Sequence, residues 1–365
     1  MKCECFSYIT DLIDYLNNNL IIAHYCGFNI FKKLPSHSTF DRFINSVDND
    51  TLKLIMQQQV LKLFEKGIVD TSFIALDSTP ISANTSQNNP KSFKKNKFNK
   101  DNQPKADPDC KLGVHTASNQ INERKFDYYW GYKNHILVDC ITGLPIYELT
   151  TTADVADCKV VEDILCQTNK FLSVNGCTFL ADKGYDANYV YDLVKTTYDG
   201  ECFIPINVRN TKKAKTLPKG NIICDAGLAM HKDGKFSDNK RTRQKYCCPF
   251  KRSASGCCPC NHKNWNNNRK NKGCTKYVTL PDTYRLSIDR DCLNFKKIYA
   301  FRTEAERYNS RFKQTGQERL WVKNFKAAQN LNTIAHISLL AVAVVALKVN
   351  VDKSYRCFKS LKRII

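Results

Sequence analysis

Apolar positions in the first seventy residues recur at helical spacing. In residues 51–66 (TLKLIMQQQVLKLFEK), Leu52, Leu54, Ile55, Val60, Leu61 and Leu63 form a stripe that predicts an amphipathic helix. Ahead of it, Pro35, Ser36, His37 and Ser38 supply a helix start that continues through Phe40, Phe43 and Ile44. The period then shortens. Residues 73–78 (FIALDS) are a short apolar run ending in a carboxylate, Asp77. Residues 128–139 (YYWGYKNHILVD) and 144–151 (LPIYELTT) are aromatic and β-branched on either side of Thr142-Gly143, which predicts an antiparallel hairpin. Residues 155–172 return to helical spacing, and 177–181 (CTFLA) form a second buried strand with Asp182 at its end. Residues 188–195 read as helix and 202–206 as strand. The order strand, hairpin, helix, strand, helix, strand describes a mixed α/β sheet.

Two stretches break the pattern. Residues 90–105 (PKSFKKNKFNKDNQPK) are lysine-rich and unperiodic, a loop between the first strand and the hairpin. Residues 207–290 are basic, rich in Asn, Lys and Cys, and poor in helical periodicity, so they read as an insertion between the last sheet strand and a C-terminal helical segment. Within that segment, residues 334–349 are strongly apolar but carry His336 and Lys348. They fall short of the roughly 20 apolar residues of a membrane span. A buried terminal helix is the expectation, with no membrane partner. The N-terminal residues form no uninterrupted apolar segment, so no signal peptide is expected.

Charge narrows the partner. The chain has 365 residues, 56 Lys and Arg against 35 Asp and Glu, and a net charge of +21. Such an excess attracts polyanions, nucleic acid first and an anionic membrane surface second. The 18 cysteines come with no export signal, which points to reduced thiols in a cytoplasm rather than to a disulfide framework.

Three acids stand out. A carboxylate just past the end of a buried strand projects from the sheet edge, where ligand sites in α/β folds gather. If the strands of Asp77 and Asp182 are neighbours, the two anions repel unless a cation bridges them, and hard oxygen ligands favour Mg²⁺. Taken singly, each reads equally as a turn or cap residue. The third acid lies in residues 299–313 (YAFRTEAERYNSRFK), where Tyr299-x2-Arg302-x3-Glu306-x6-Lys313 falls within a helical stripe roughly 60° wide. Glu306 suits a metal site and Arg302 and Lys313 suit phosphates, although a solvated helix face with Glu–Lys pairs has the same spacing.

The Tyr-x2-Arg-x3-Glu-x6-Lys pattern resembles that of bacterial insertion-sequence transposases with a DDE catalytic domain. ALDSTPISAN (75–84) is similar to their first-Asp segment, residues 130–157 to their hairpin, and LADKGYD (180–186) to their second-Asp segment. The resemblance covers roughly residues 73–347 in the right order. It implies an RNase H-like fold with flanking helices and two Mg²⁺ ions, replaceable by Mn²⁺, held by Asp77, Asp182 and Glu306. It implies contacts from Tyr299, Arg302 and Lys313 to transposon-end DNA, and cleavage and strand transfer by in-line attack of water or a DNA 3′-OH. A catalytically inactive or domesticated DNA-binding derivative is the alternative. The partners implied are the inverted-repeat ends and target DNA, with a homodimer bringing two ends together near the bacterial nucleoid.

On this reading residues 1–70 are a helical DNA-binding region, 71–206 the first part of the catalytic core and 207–290 the Cys-rich basic insertion. Residues 291–350 are the core's C-terminal helices and 351–365 a basic tail. Cys224, Cys248, Cys258, Cys260 and Cys274 are more than enough thiolates for one tetrahedral Zn²⁺, yet the spacing lacks clean Cys-x2-Cys knuckles. Plain packing of a small basic subdomain is the competing reading. His135 is expected to be a hydrogen-bonded strand histidine, and Trp130 and Tyr185 to pack.

Overall fold

The structure is a computed structural model that describes residues 1–86, 99–118, 124–207, 222–238, 241–252, 273–280 and 284–349. The chain forms two compact units, Met1–Pro205 with Leu293–Ile365, and Ile206–Cys292.

The first unit opens with helices α1 (Ile9–Asn18), α2 (Leu20–Tyr25), α3 (His37–Ser46) and α4 (Asn49–Glu65). The Asp48 side chain accepts the Thr51 N–H and so caps α4. Leu52, Met56, Val60 and Leu63 are buried at spacings of four, four and three, which is one true helix face. Leu54 and Ile55, expected on that stripe, lie on the solvent side. Measured from the middle of the buried face at about 100° per residue, Leu54 lies nearly opposite and Ile55 about a quarter turn away.

The sheet comes next: β1 (Phe73–Ser82), β2 (Lys111–Ser118), β3 (Arg124–Asp139), β4 (Pro145–Thr152), β5 (Thr178–Ala181) and β6 (Glu201–Phe203), with α5 (Val161–Asn169) and α6 (Asn188–Asp192) between the later strands. β1 pairs antiparallel with β3 and parallel with β5, β4 pairs antiparallel with β3, and β6 pairs parallel with β5. The path β4-β3-β1-β5-β6, three antiparallel strands followed by two parallel to the first, is the RNase H-like arrangement the resemblance implied. β2 was not foreseen. It pairs with the N-terminal half of β3, from Ser118↔Arg124 to Lys111↔Gly131. A Cβ on Gly131 would come within 2.0 Å of the Ile81 carbonyl oxygen, so the close approach of β1 and β3 needs a glycine there.

The second unit holds an antiparallel sheet of β7 (His231–Asp238), β8 (Arg241–Cys247) and β9 (Thr275–Thr279), followed by the short α7 (Tyr284–Ser287). The chain returns to the first unit with α8 (Leu293–Tyr299), α9 (Thr303–Phe312) and α10 (Phe325–Lys348). α10 has 24 residues, more than the apolar stretch suggested, and is long and apolar enough to cross a membrane by length and composition. Yet 61% of its most apolar window is buried within the fold, where it packs against α4 and β4.

Four polar residues of α10, Asn330, Asn332, Thr333 and His336, are also buried. Asn134 on β3 donates to Glu148 on β4 at 2.8 Å, and Thr333 donates to the other Glu148 oxygen at 2.7 Å. Asn134 Oδ1 in turn meets His336 Nε2 at 2.9 Å, and His336 Nδ1 meets the Tyr308 hydroxyl at 2.6 Å. Because Asn134 Oδ1 can only accept, His336 carries its proton on Nε2 and accepts from Tyr308 through Nδ1. Burial holds the His336 pKa down at about 3, in keeping with the neutral ring. Every link in this chain has a partner, and it fixes α9 and α10 to the two strands of the hairpin.

Candidate active site

β1 and β5 run side by side with Leu76 opposite Ala181, so Asp77 and Asp182 follow the same register one residue later. Asp77 is not at a strand end as the sequence suggested. β1 continues to Ser82 because β3 pairs with its other edge, where Asp77 lies opposite Ile136. The open edge beside Asp77 is created instead by β5, which stops at Ala181. Asp182 then caps a 3₁₀ turn, its Oδ1 accepting the Gly184 N–H at 2.7 Å. A Cβ on Gly184 would stand 2.8 Å from that same oxygen, which explains the glycine in LADKGYD.

Glu306 arrives from the other end of the chain. The Tyr299-to-Lys313 segment is not one straight α-helix. Tyr299 ends α8, residues Ala300–Arg302 tighten into a 3₁₀ turn, Glu306 lies on α9, and Lys313 opens a π turn. Arg302 hydrogen-bonds Glu306, has a nitrogen 4.0 Å from Asp77 Oδ2, and lies 5.7 Å from the Tyr299 ring. Lys313 points elsewhere, toward Glu318 at 3.8 Å. Thus Asp77, Asp182, Glu306, Tyr299 and Arg302 gather in one place, and Lys313 stands apart from the acids.

The electrostatics carry the signature of a site short of positive charge. Burial pushes the Asp77 carboxyl up to about 6; Arg302 opposes the shift, while Asp182 and Glu306 reinforce it. Asp182 is likewise raised, by burial first, against the Gly184 hydrogen bond and Arg302. Three carboxylates share one guanidinium. Oxygen donors with this excess of negative charge fit divalent cations such as Mg²⁺. Among the described residues no three His, Cys, Asp or Glu side chains are set to enclose an ion as they stand, and Glu306 is engaged with Arg302 instead.

Sequence reasoning missed two neighbours. Asp157 raises the pKa of Asp182 from nearby and is itself paired with Lys133 at 2.9 Å. Asn309, one α-helical turn beyond Glu306, donates from Nδ2 to Asp77 Oδ2 at 3.0 Å. A polar residue on a charged stripe reads as solvated, so no signal marked Asn309. His135 is fully buried with Nε2 2.9 Å from Thr151 Oγ1, and burial lowers its pKa to about 4. Trp130 and Tyr185 are buried.

In the second unit, Cys224, Cys248 and Cys274 pack into one apolar cluster with Ile222 and Met230. The Leu228 N–H points at Cys224 Sγ at 3.4 Å, and burial pushes the Cys274 thiol up to about 12. Cys258 and Cys260 lie outside the described residues, as does the tail 351–365.

Comparison with known proteins agrees with the motif reading. No curated protein matches the chain by sequence. Among solved structures, the piggyBac transposase synaptic complex with hairpin DNA is similar at TM-score 0.39 and 9% identity, over 93% of this chain and 61% of that one. This chain therefore spans about three fifths of that protein's length. The Mos1 transposase paired-end complex with left transposon end is similar at TM-score 0.20 and 11% identity, over 53% of this chain and 57% of that one. The family model for the Transposase DDE domain matches residues 69–341, a stretch that runs from just before β1 into α10 and takes in all three acids. By that match, over well more than half its length, the chain belongs to the DDE-domain transposases.

Proposed function

We propose that this protein cuts DNA at the ends of a mobile element and joins those ends to a target, with Asp77, Asp182 and Glu306 holding divalent metal. The observation that carries the reading is the meeting of three acids from separate elements, one on β1, one just past the end of its parallel neighbour β5 and one on α9, around a single guanidinium. Bound Mg²⁺ or Mn²⁺ supplies a lowered pKa for a water or a 3′-OH and charge stabilisation for the leaving oxygen. The protein's own groups do the rest. The Gly184 N–H holds Asp182 in its rotamer. Arg302, half-buried beside the acids, offers a guanidinium to a phosphate placed next to them, and the Tyr299 ring flanks it. Lys313, turned away from the acids, suits the DNA backbone further along.

The net charge of +21 supports double-stranded DNA as the partner, and the two ends of an element call for two copies of the chain. The test is direct. The full chain is incubated with Mg²⁺ and labelled DNA carrying the inverted repeats that flank its gene. Cleavage at the repeat boundary and joined products are expected. Binding without any cut product, across Mg²⁺ and Mn²⁺, would favour an inactive DNA-binding derivative.

The Cys-rich unit supports a second, structural metal. Among the described residues, its apolar cluster is Ile222, Cys224, Met230, Cys248 and Cys274, with Tyr246, Phe250 and Val278 packed against it. Three of those side chains are thiols, and a backbone N–H already faces one sulfur. As they stand these three sulfurs do not enclose an ion, so zinc on four of Cys224, Cys248, Cys258, Cys260 and Cys274 would have to draw them together, and in doing so would staple the unit. Elemental analysis of the purified protein is expected to find about one zinc per chain, lost in C274S. A zinc-free, fully folded wild type would assign the trio to packing alone.

A further inference from the structure

We infer that Asn309 is a positioning residue of the metal site, holding the Asp77 carboxylate in its orientation while presenting its own carbonyl oxygen to a metal-bound water. The inference rests on the reading of Asp77 as a metal ligand.

Asn309 and Asp77 are 232 residues apart in sequence, yet Nδ2 and Oδ2 meet at 3.0 Å. The amide orientation follows from chemistry, since an ionised carboxylate only accepts and must face the NH₂ rather than the C=O. The amide N–H occupies one lone pair of Oδ2. It also stops rotation about the Cβ–Cγ bond, which sets the direction in which the remaining lone pairs point. Ligating carboxylates are in general held by such partners.

The other half of the amide is the second observation. Asn309 is 8% exposed, and its Oδ1 is buried with no hydrogen-bond partner among the described residues. An orphaned acceptor next to three acids has no use for another anion. It is satisfied by a donor, and a hydrated divalent cation brings donors in the form of polarised water. Asn309 is also well placed for the task. Its neighbour Tyr308 instead bonds into the buried His336–Asn134–Glu148 chain, apart from the acids. The bond to Asp77 ties α9 to β1 at the point where their acids meet.

Mn²⁺ binding by the full chain without DNA, read by electron paramagnetic resonance, tests this apart from activity. N309A and the smaller polar N309S are each expected to raise the Mn²⁺ dissociation constant about 10–100-fold, the range typical of groups that orient metal ligands. Y308F, which cuts the buried chain and spares Asn309, is expected to lower the melting temperature and change the Mn²⁺ constant less than about threefold. Wild-type affinity in N309A and N309S, or an equal loss in Y308F, would overturn the role given to Asn309. D77N separates the two levels of the argument. Its loss of Mn²⁺ binding together with unchanged N309A sinks the inference alone, whereas wild-type binding by D77N sinks the underlying assignment of Asp77.

Discussion

Asp182→Asn is expected to reduce DNA end cleavage by about 1,000-fold or more while leaving DNA binding intact. The replacement has the same shape, and an amide oxygen still accepts the Gly184 N–H, so the 3₁₀ turn after β5 keeps its cap. Only the negative charge is lost. A catalytic metal contributes several kcal/mol of transition-state stabilisation, and each ~1.4 kcal/mol is tenfold in rate, which sets the scale at about three orders of magnitude. Labelled-end cleavage and band shift on the same samples would measure both quantities. Cleavage within tenfold of wild type would remove Asp182 from the reaction.

The pH dependence of metal demand follows from its neighbour. Burial raises the Asp77 carboxyl to about 6, so in the metal-free protein it is protonated below that point and must lose its proton to bind a cation. The half-saturating Mn²⁺ concentration is therefore expected to climb as pH falls below 6 and to be flat above about 7. Stability of the metal-free fold has the opposite dependence. A carboxyl raised on folding adds stability that is complete below the ordinary carboxylate range and lost as pH rises through 6.

The second large effect is structural. Glu148→Ala is expected to lower the melting temperature by about 6 °C. Glu148 is fully buried and accepts from Thr333, Asn134 and Thr150. Removing it takes that acceptor from three buried donors at roughly 1–3 kcal/mol each, and because Asn134 and Thr333 keep a second, longer bond the total is about 4 kcal/mol. In a unit of this size that corresponds to about 1.5 °C per kcal/mol. Because burial raises the Glu148 pKa, the wild type gains stability at acid pH that it loses as pH rises. The gap between wild type and variant should thus be wider at acid pH than at neutral pH. A melting shift under about 2 °C would show that the buried chain does not hold α10 to the hairpin.

These particulars show which parts of the molecule can be read from the chain. The hairpin was visible because its strands alternate and a Thr142-Gly143 turn separates them. Asp182 was visible because CTFLA is short, apolar and ends at once. Asp77 was found for a partly mistaken reason, since a strand can continue past a carboxylate when only one of its neighbours stops. β2 and β7 were invisible to periodicity. KLGVHTAS and HKDGKFSD have too few apolar residues on either face to produce an alternating signal. The buried chain misled in the other direction: Asn330, Asn332, Thr333 and His336 look like interruptions in an apolar helix, yet all four are buried. Their partners lie on distant segments, and a partner is what turns a polar interruption into an anchor.

The order of the acids along the chain has a consequence in time. Asp77 and Asp182 precede the unit at Ile206–Cys292, and Glu306 follows it. On the ribosome, both aspartates emerge and their strands can pair well before α9 is translated. On the reading proposed above, a nascent chain therefore carries two of the three acids and none of the helix that brings the third. A polypeptide that stops before α9 is then expected to cut no DNA.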